Sequence, residues 1–202
     1  MLAASIHLSR GTPYVYMGEE IGMIDPDYDS MEDYVDVEAI NAYQMLLDQG
    51  KSPEQAFKII QAKSRDNSRT PMQWDASENA GFSTGTPWLK VGKSYKDINV
   101  EKEMDGPIFK FYKELIRLRK EMPIISEGSY LPAMEDSQEV YAFEHHLDGQ
   151  KLLVLNHFYG SEVEVAIPED YQAWRVLLSN YENVKLSEKV ILKPYQTLAI
   201  LV

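Results

Sequence analysis

Pro107-Ile-Phe-Lys-Phe-Tyr-Lys-Glu-Leu-Ile-Arg-Leu-Arg-Lys-Glu121 decides how this chain divides. Ile108, Phe111, Tyr112, Leu115, Ile116 and Leu118 recur at helical spacing, with Pro107 near the start. Arg117, Arg119 and Lys120 crowd the last turn, where positive charge complements the helix dipole. Pro123 closes the pattern. Beyond it the texture changes to short alternating runs at 140–143, 151–155, 162–167, 174–178 and 197–202, separated by turn residues at sandwich-like spacing. The sequence therefore predicts an α-rich part up to residue 121 and an all-β part over 122–202.

Upstream of that helix, residues 1–10 read as a helix ending at Gly11, and Tyr14-Val15-Tyr16-Met17 as a short buried strand. Gly18-Glu19-Glu20-Ile21-Gly22 follows as a glycine-flanked acidic loop, and 23–33 as an acidic surface loop. A helix from Val37 to Gln49 stops at Gly50. The next opens on Ser52-Pro53-Glu54-Gln55, a capping box with proline in the first turn, and carries Ala56, Ile59, Ile60 and Ala62 as one stripe. Residues 65–99 lose all period yet hold Trp74, Phe82 and Trp88. A stretch so long and so aromatic points to an ordered, functional loop.

Composition narrows the function. The chain has 202 residues, short of the roughly 250 that a complete (β/α)8 barrel uses. It has no cysteine, which removes disulfides, thiolate metal sites and cysteine nucleophiles, and suits a cytoplasmic setting. Thirty-two acidic against 20 basic residues give a net charge of −12, so nucleic acid and anionic membrane are poor partners. No run approaches the ~18 apolar residues of a membrane helix. The opening residues lack the basic start of a signal peptide and read like the middle of a helix, so the chain is expected to begin inside a domain.

The densest chemistry lies in Lys63-Ser-Arg-Asp-Asn-Ser-Arg-Thr-Pro-Met-Gln-Trp-Asp75. Guanidinium forks and amides suit a hydroxyl-rich ligand, and Trp74 offers a face on which a sugar can stack. Arg65 and Arg69 stand four apart and would share one face of a helical turn. On composition alone, a loop pinned by Arg–Asp pairs that buttresses a neighbour is the favoured reading. Glu19 and Glu20 follow a strand end, where barrel enzymes place catalytic groups, but neighbouring acids point apart and repel. They fit a rim better than a catalytic pair. Asp25, Asp27, Asp29, Glu32, Asp33 and Asp36 lack the glycine and terminal glutamate of a calcium loop. His7, His145, His146 and His157 form no triad with a serine and an acid. These residues offer ligand contacts without a complete catalytic set, and no metal or cofactor is expected.

Longer motifs carry a resemblance. Residues 11–23, 64–75 and 79–88, continued by Asp97-Ile-Asn-Val100, the helix around Tyr112–Lys120 and Lys193-Pro194-Tyr195, resemble the α-glucosidase branch of glycoside hydrolase family 13 over essentially the whole chain. Ala62 to Arg69 and Tyr34 to Asn41 are worded like the trehalose-6-phosphate hydrolases of that branch, with the oligo-1,6-glucosidases close behind. The resemblance implies an α+β fragment: the C-terminal end of a (β/α)8 barrel (last strand, long loop excursion, closing helix), then a β-sandwich. It further implies a retaining mechanism whose nucleophile, acid/base and stabilising carboxylates lie upstream of residue 1. The 202 residues alone are then expected to be inactive. By the family's pattern Arg65 reaches the glucose site and pairs with an acid from the barrel half this chain lacks, while Glu19 lies at the rim. Arg69 and Trp74 are expected to pack the loop. The implied partner is a disaccharide or oligosaccharide substrate, and exposed barrel surface invites self-association. A stand-alone carbohydrate-binding module is the competing reading, and an oligo-1,6-glucosidase or dextran glucosidase parent a further one.

Overall fold

The computed structural model describes residues 1–171 and 175–202. In chain order its helices are α1 (Leu2–His7), α2 (Val37–Asp48), α3 (Pro53–Lys63), α4 (Val100–Glu103), α5 (Pro107–Glu121) and α6 (Pro123–Ser126). Its strands are β1 (Leu131–Ala133), β2 (Val140–Leu147), β3 (Gln150–His157), β4 (Val163–Ala166), β5 (Arg175–Ser179), β6 (Lys189–Leu192) and β7 (Thr197–Leu201). Contacts group the residues into two units, 1–14 with 111–202, and 15–110.

The first unit is built on an antiparallel sheet of order β1-β2-β3-β7-β5. Its central strands do not alternate. Every residue of β7 is buried, as is every residue of β3 from Leu152 on. Both faces are covered. Phe143, Leu152, Val154, Ala199 and Leu201 meet Ala4, Leu8, Leu115, Leu118, Ile124 and Ile125 from α1, α5 and α6 and their flanks. On the other face Leu153, Leu155, Leu198 and Ile200 meet Val165, Val190 and Leu192 of the two-stranded β4–β6 sheet. Continuous apolar runs are what a strand buried on both sides requires. The expected strand over 174–178 is seen as β5, and Trp174 lies outside the described residues.

Polar ties fasten α1 to this core. Arg119 of α5 donates to the carbonyl of His7 (2.9 Å), an orphan acceptor at the C-terminus of α1, and to those of Ser9 (2.7 Å) and Gly11 in the segment that follows. His145, fully buried on β2, sets its ring nitrogens 2.8 Å from the carbonyls of Leu8 and Ser129. The helix expected over 1–10 ends at His7, before the left-handed Gly11.

The second unit carries the small core of Tyr28, Tyr34, Ala39 and Ile60 under α2 and α3. The capping box of α3 forms: Ser52 Oγ accepts from Gln55 N and Gln55 Oε1 from Ser52 N, each at 3.2 Å. Of the expected stripe, Ala56 and Ile60 are buried while Ile59 and Ala62 are exposed. The short strand expected at Tyr14–Met17 does not form. A strand needs a ladder partner, and none of the described residues pairs with this segment, whose four side chains are all exposed.

Candidate functional site

Ser64 opens the site, accepting from the Asp66 N–H (3.2 Å) and so starting the tight turn Arg65–Arg69. Pro71, two residues past that turn, cannot continue it. Asp66 is fully buried inside the turn. Its Oδ2 accepts from the backbone N–H groups of Val35 and Asp36, each at 2.8 Å, the two residues that precede α2. Its Oδ1 lies 3.7 Å from Arg69 Nη1, which is 3.6 Å from Asp36 Oδ1. Arg65 stands on the exposed side and pairs with Glu38 in the first turn of α2. Both arginines thus engage residues 36–38, from opposite sides of a turn too tight for the shared face expected of their four-residue spacing, and Arg69 packs the loop.

The rest of the excursion braces this turn. Tyr16 Oη donates to the Ser68 carbonyl (2.8 Å), and Asn67 Nδ2 to that of Gln61 (2.8 Å). Gln73, buried, donates to Ile98 O (2.6 Å), while its own carbonyl and that of Trp74 accept from Val100 and Glu101. Asn79, Ala80 and Gly81 are all left-handed, a conformation costly for alanine, and they aim the Ala80 carbonyl at the N–H groups of Trp74 and Asp75. Gly81 adopts the left-handed conformation without strain, and a Cβ there would stand 2.5 Å from the Asp75 carboxylate, which would have to shift. Hydrogen bonds from Ser77 hold Asp75 below the usual carboxylate range.

Glu19 and Glu20 lie in the turn Glu19–Ile21, between the left-handed Gly18 and Gly22. Glu20 folds back to accept from Gly18 N (2.8 Å), leaving Glu19, partly buried, beside it. The acidic loop is answered by lysines: Lys93 reaches Asp29 (2.6 Å) and Asp27 (3.7 Å), and Lys90 reaches Asp33 (3.3 Å). Each of the Lys93–Asp29 partners favours the other's charged form. Among the described residues no group of three His, Asp or Glu is placed to hold a metal ion. A hollow of about 500 Å³ lies between Glu32, Glu78, Asn79, Trp88 and Tyr95, with Trp88 three-quarters exposed. Sequence reasoning missed the buried role of Asp66 and the partnership of Glu38. Only the placement of Asp36 just before the apolar start of α2 hinted at a helix N-terminus there.

The site is an arginine-bearing turn seated on an acidic helix start and braced by a long loop. Residues 1–128 match the family described as "Alpha amylase, catalytic domain", and residues 140–198 the "Alpha-amylase SusG C-terminal domain". The chain belongs to the α-amylase family. It is 42% identical to the trehalose-6-phosphate hydrolase of Bacillus subtilis (strain 168), covering 98% of this chain and 36% of that protein. It is 40% identical to the oligo-1,6-glucosidase of Parageobacillus thermoglucosidasius, over 97% and 36% respectively. The crystal structure of Bacillus licheniformis trehalose-6-phosphate hydrolase superposes with a TM-score of 0.92 at 45% identity, covering 99% of this chain and 37% of that one. The chain thus spans little more than a third of the length of the relatives it matches. No helix among the described residues is long and apolar enough to cross a membrane.

Proposed function

We propose that this chain is the C-terminal part of a cytoplasmic retaining α-glucosidase that cleaves trehalose 6-phosphate to glucose and glucose 6-phosphate. The observation that carries the reading is the coincidence of two coverages: nearly all of this chain, but only 36% of the trehalose-6-phosphate hydrolase it resembles. On this reading residues 1–121 come from the end of the catalytic barrel and 122–202 from the β domain, a division supported by matches over 1–128 and 140–198, with 1–14 and 111–121 packing into the core of the sheet. Arg65 grips the glucosyl unit through its guanidinium fork and Glu19 lines the rim. The carboxylates that break the bond belong to the preceding barrel strands, so the isolated 202 residues bind weakly and turn over nothing. The exposed apolar side chains of Leu2 and Ile6, and separately those of Val15–Met17, drive the isolated chain to self-associate.

Two assays test this. Full-length protein is expected to release p-nitrophenol from p-nitrophenyl α-glucoside, and the 202-residue chain none; turnover by the chain alone overturns the division of labour. An oligo-1,6-glucosidase specificity is favoured by a relative at 44% identity, that of Halalkalibacterium halodurans, and kcat/KM on isomaltose against trehalose 6-phosphate separates the two. Sedimentation of the 202-residue chain as a clean monomer removes the self-association.

A further inference from the structure

We propose that Asp66 is a positioning residue for Arg65: its buried carboxylate seats the start of α2 on the Arg65–Arg69 turn and so delivers Glu38 to the guanidinium. The proposal rests on the reading of Arg65 as a substrate-binding residue. A charge withdrawn from water is costly, and Asp66 is withdrawn completely. What offsets that cost is specific. Two N–H groups from a segment thirty residues away converge on Oδ2 at 2.8 Å, and they are the N–H groups just before α2. Their positive pole suits an anion and little else. The carboxylate thereby fixes the first turn of α2 in register with the residue next to Asp66, which is Arg65.

Register is what Arg65 lacks by itself. Its side chain is more than half exposed, and long exposed side chains wander unless something holds the fork. Glu38, three residues beyond Val35, meets Arg65 Nη2, and Arg69 with Asp36 closes the far side of the turn. The Arg65–Glu38 pair is too exposed to contribute much to stability. Its consequence is direction: the guanidinium plane is set before substrate arrives, so less ordering is required on binding.

The test uses the full-length enzyme and separates KM from kcat on p-nitrophenyl α-glucoside. Asp66→Asn is expected to raise KM roughly tenfold with kcat nearly kept, the signature of lost ground-state grip. Glu38→Gln is expected to raise KM by a smaller factor, and to add nothing in an Arg65→Ala background, where no cation is left to hold. A lower kcat at unchanged KM in Asp66→Asn would mean only that less enzyme is folded, and overturns the positioning role. So does a Glu38→Gln effect that persists undiminished beside Arg65→Ala. If Asp66→Asn does not fold, Asp66→Glu, which keeps the charge and displaces the oxygens, takes its place, and an unchanged KM in it overturns the positioning role. Wild-type KM in Arg65→Ala overturns the reading of Arg65 and this proposal with it, and is distinguishable because the Arg65 variant itself is then silent.

Discussion

Strands β3 and β7 bury leucine after leucine, whereas the stretch 65–81 buries Asp66, Gln73 and Ala80 and leaves Trp74 half in solvent. The two units are held by different physics. In the unit of 1–14 and 111–202, two apolar clusters sandwich one sheet, and stability follows the area removed from water. In 15–110 the apolar cluster is small, and backbone carbonyls and N–H groups are answered one by one by Asp66, Gln73, Asn79 and Asn99. Apolar burial tolerates exchange of one hydrophobe for another. A polar scaffold does not, since an unanswered buried group costs more than its bond contributed. Such a scaffold fixes geometry closely, which suits a loop that must present an arginine.

The largest effect expected on this contrast is in the sheet. Phe143 is fully buried and rings with Tyr130, Tyr141 and His145 at 5.2–5.5 Å. Phe143→Ala should destabilise the first unit by about 3–5 kcal/mol in urea unfolding. Native-state hydrogen exchange should show the loss in β2, β3 and β7. Equal acceleration of exchange over 15–110 would show that the two units do not unfold separately.

A smaller effect, of opposite address, comes from alkali. Burial and the nearby Asp25, Asp33, Asp66 and Asp27 push the Tyr34 phenol up to about 12, and burial pushes that of Tyr28 up as well. An unfolded tyrosine ionises near 10. The stability contributed by these neutral phenols is therefore complete below about 10 and is lost as pH rises toward the folded value. Residues 15–110 should loosen first in base. A tyrosinate absorbance titration of wild type against Tyr34→Phe reports it; a missing component near 10 instead of near 12 would sink the assignment.

Many of the helices were legible because their signals are local. The 107–121 helix carries an apolar stripe, a proline start and a basic end, and it spans the predicted residues. Four residues of Ser52–Gln55 were enough to place the start of α3. β1 and β6 escaped notice because three or four residues between turns give too few alternations to count. Tyr14–Met17 has strand composition, but composition supplies no partner. In the candidate site the SRDNSR wording drew attention to Arg65, yet an aspartate between arginines reads as one more surface charge. Its burial depends on Val35 and Asp36 arriving from across the loop, which no local spacing encodes.

The smallest expected effect tests whether 15–110 owes its order to ion pairs or to buried hydrogen bonds. Lys93 looks important on paper, sitting within 4 Å of both Asp27 and Asp29. All three side chains, however, are about half exposed or more, so solvent and salt screen the pair and ordering a long lysine offsets what attraction remains. Gln73 is the opposite case: neutral, buried, and tied through side chain and backbone to Ile98 and Val100. Lys93→Ala, or added salt, should leave the thermal midpoint of 15–110 unmoved, whereas Gln73→Leu should lower it by stranding the Ile98 carbonyl. A midpoint that falls with Lys93→Ala and with salt would place the organising force at the acidic surface and reverse the contrast between the two units.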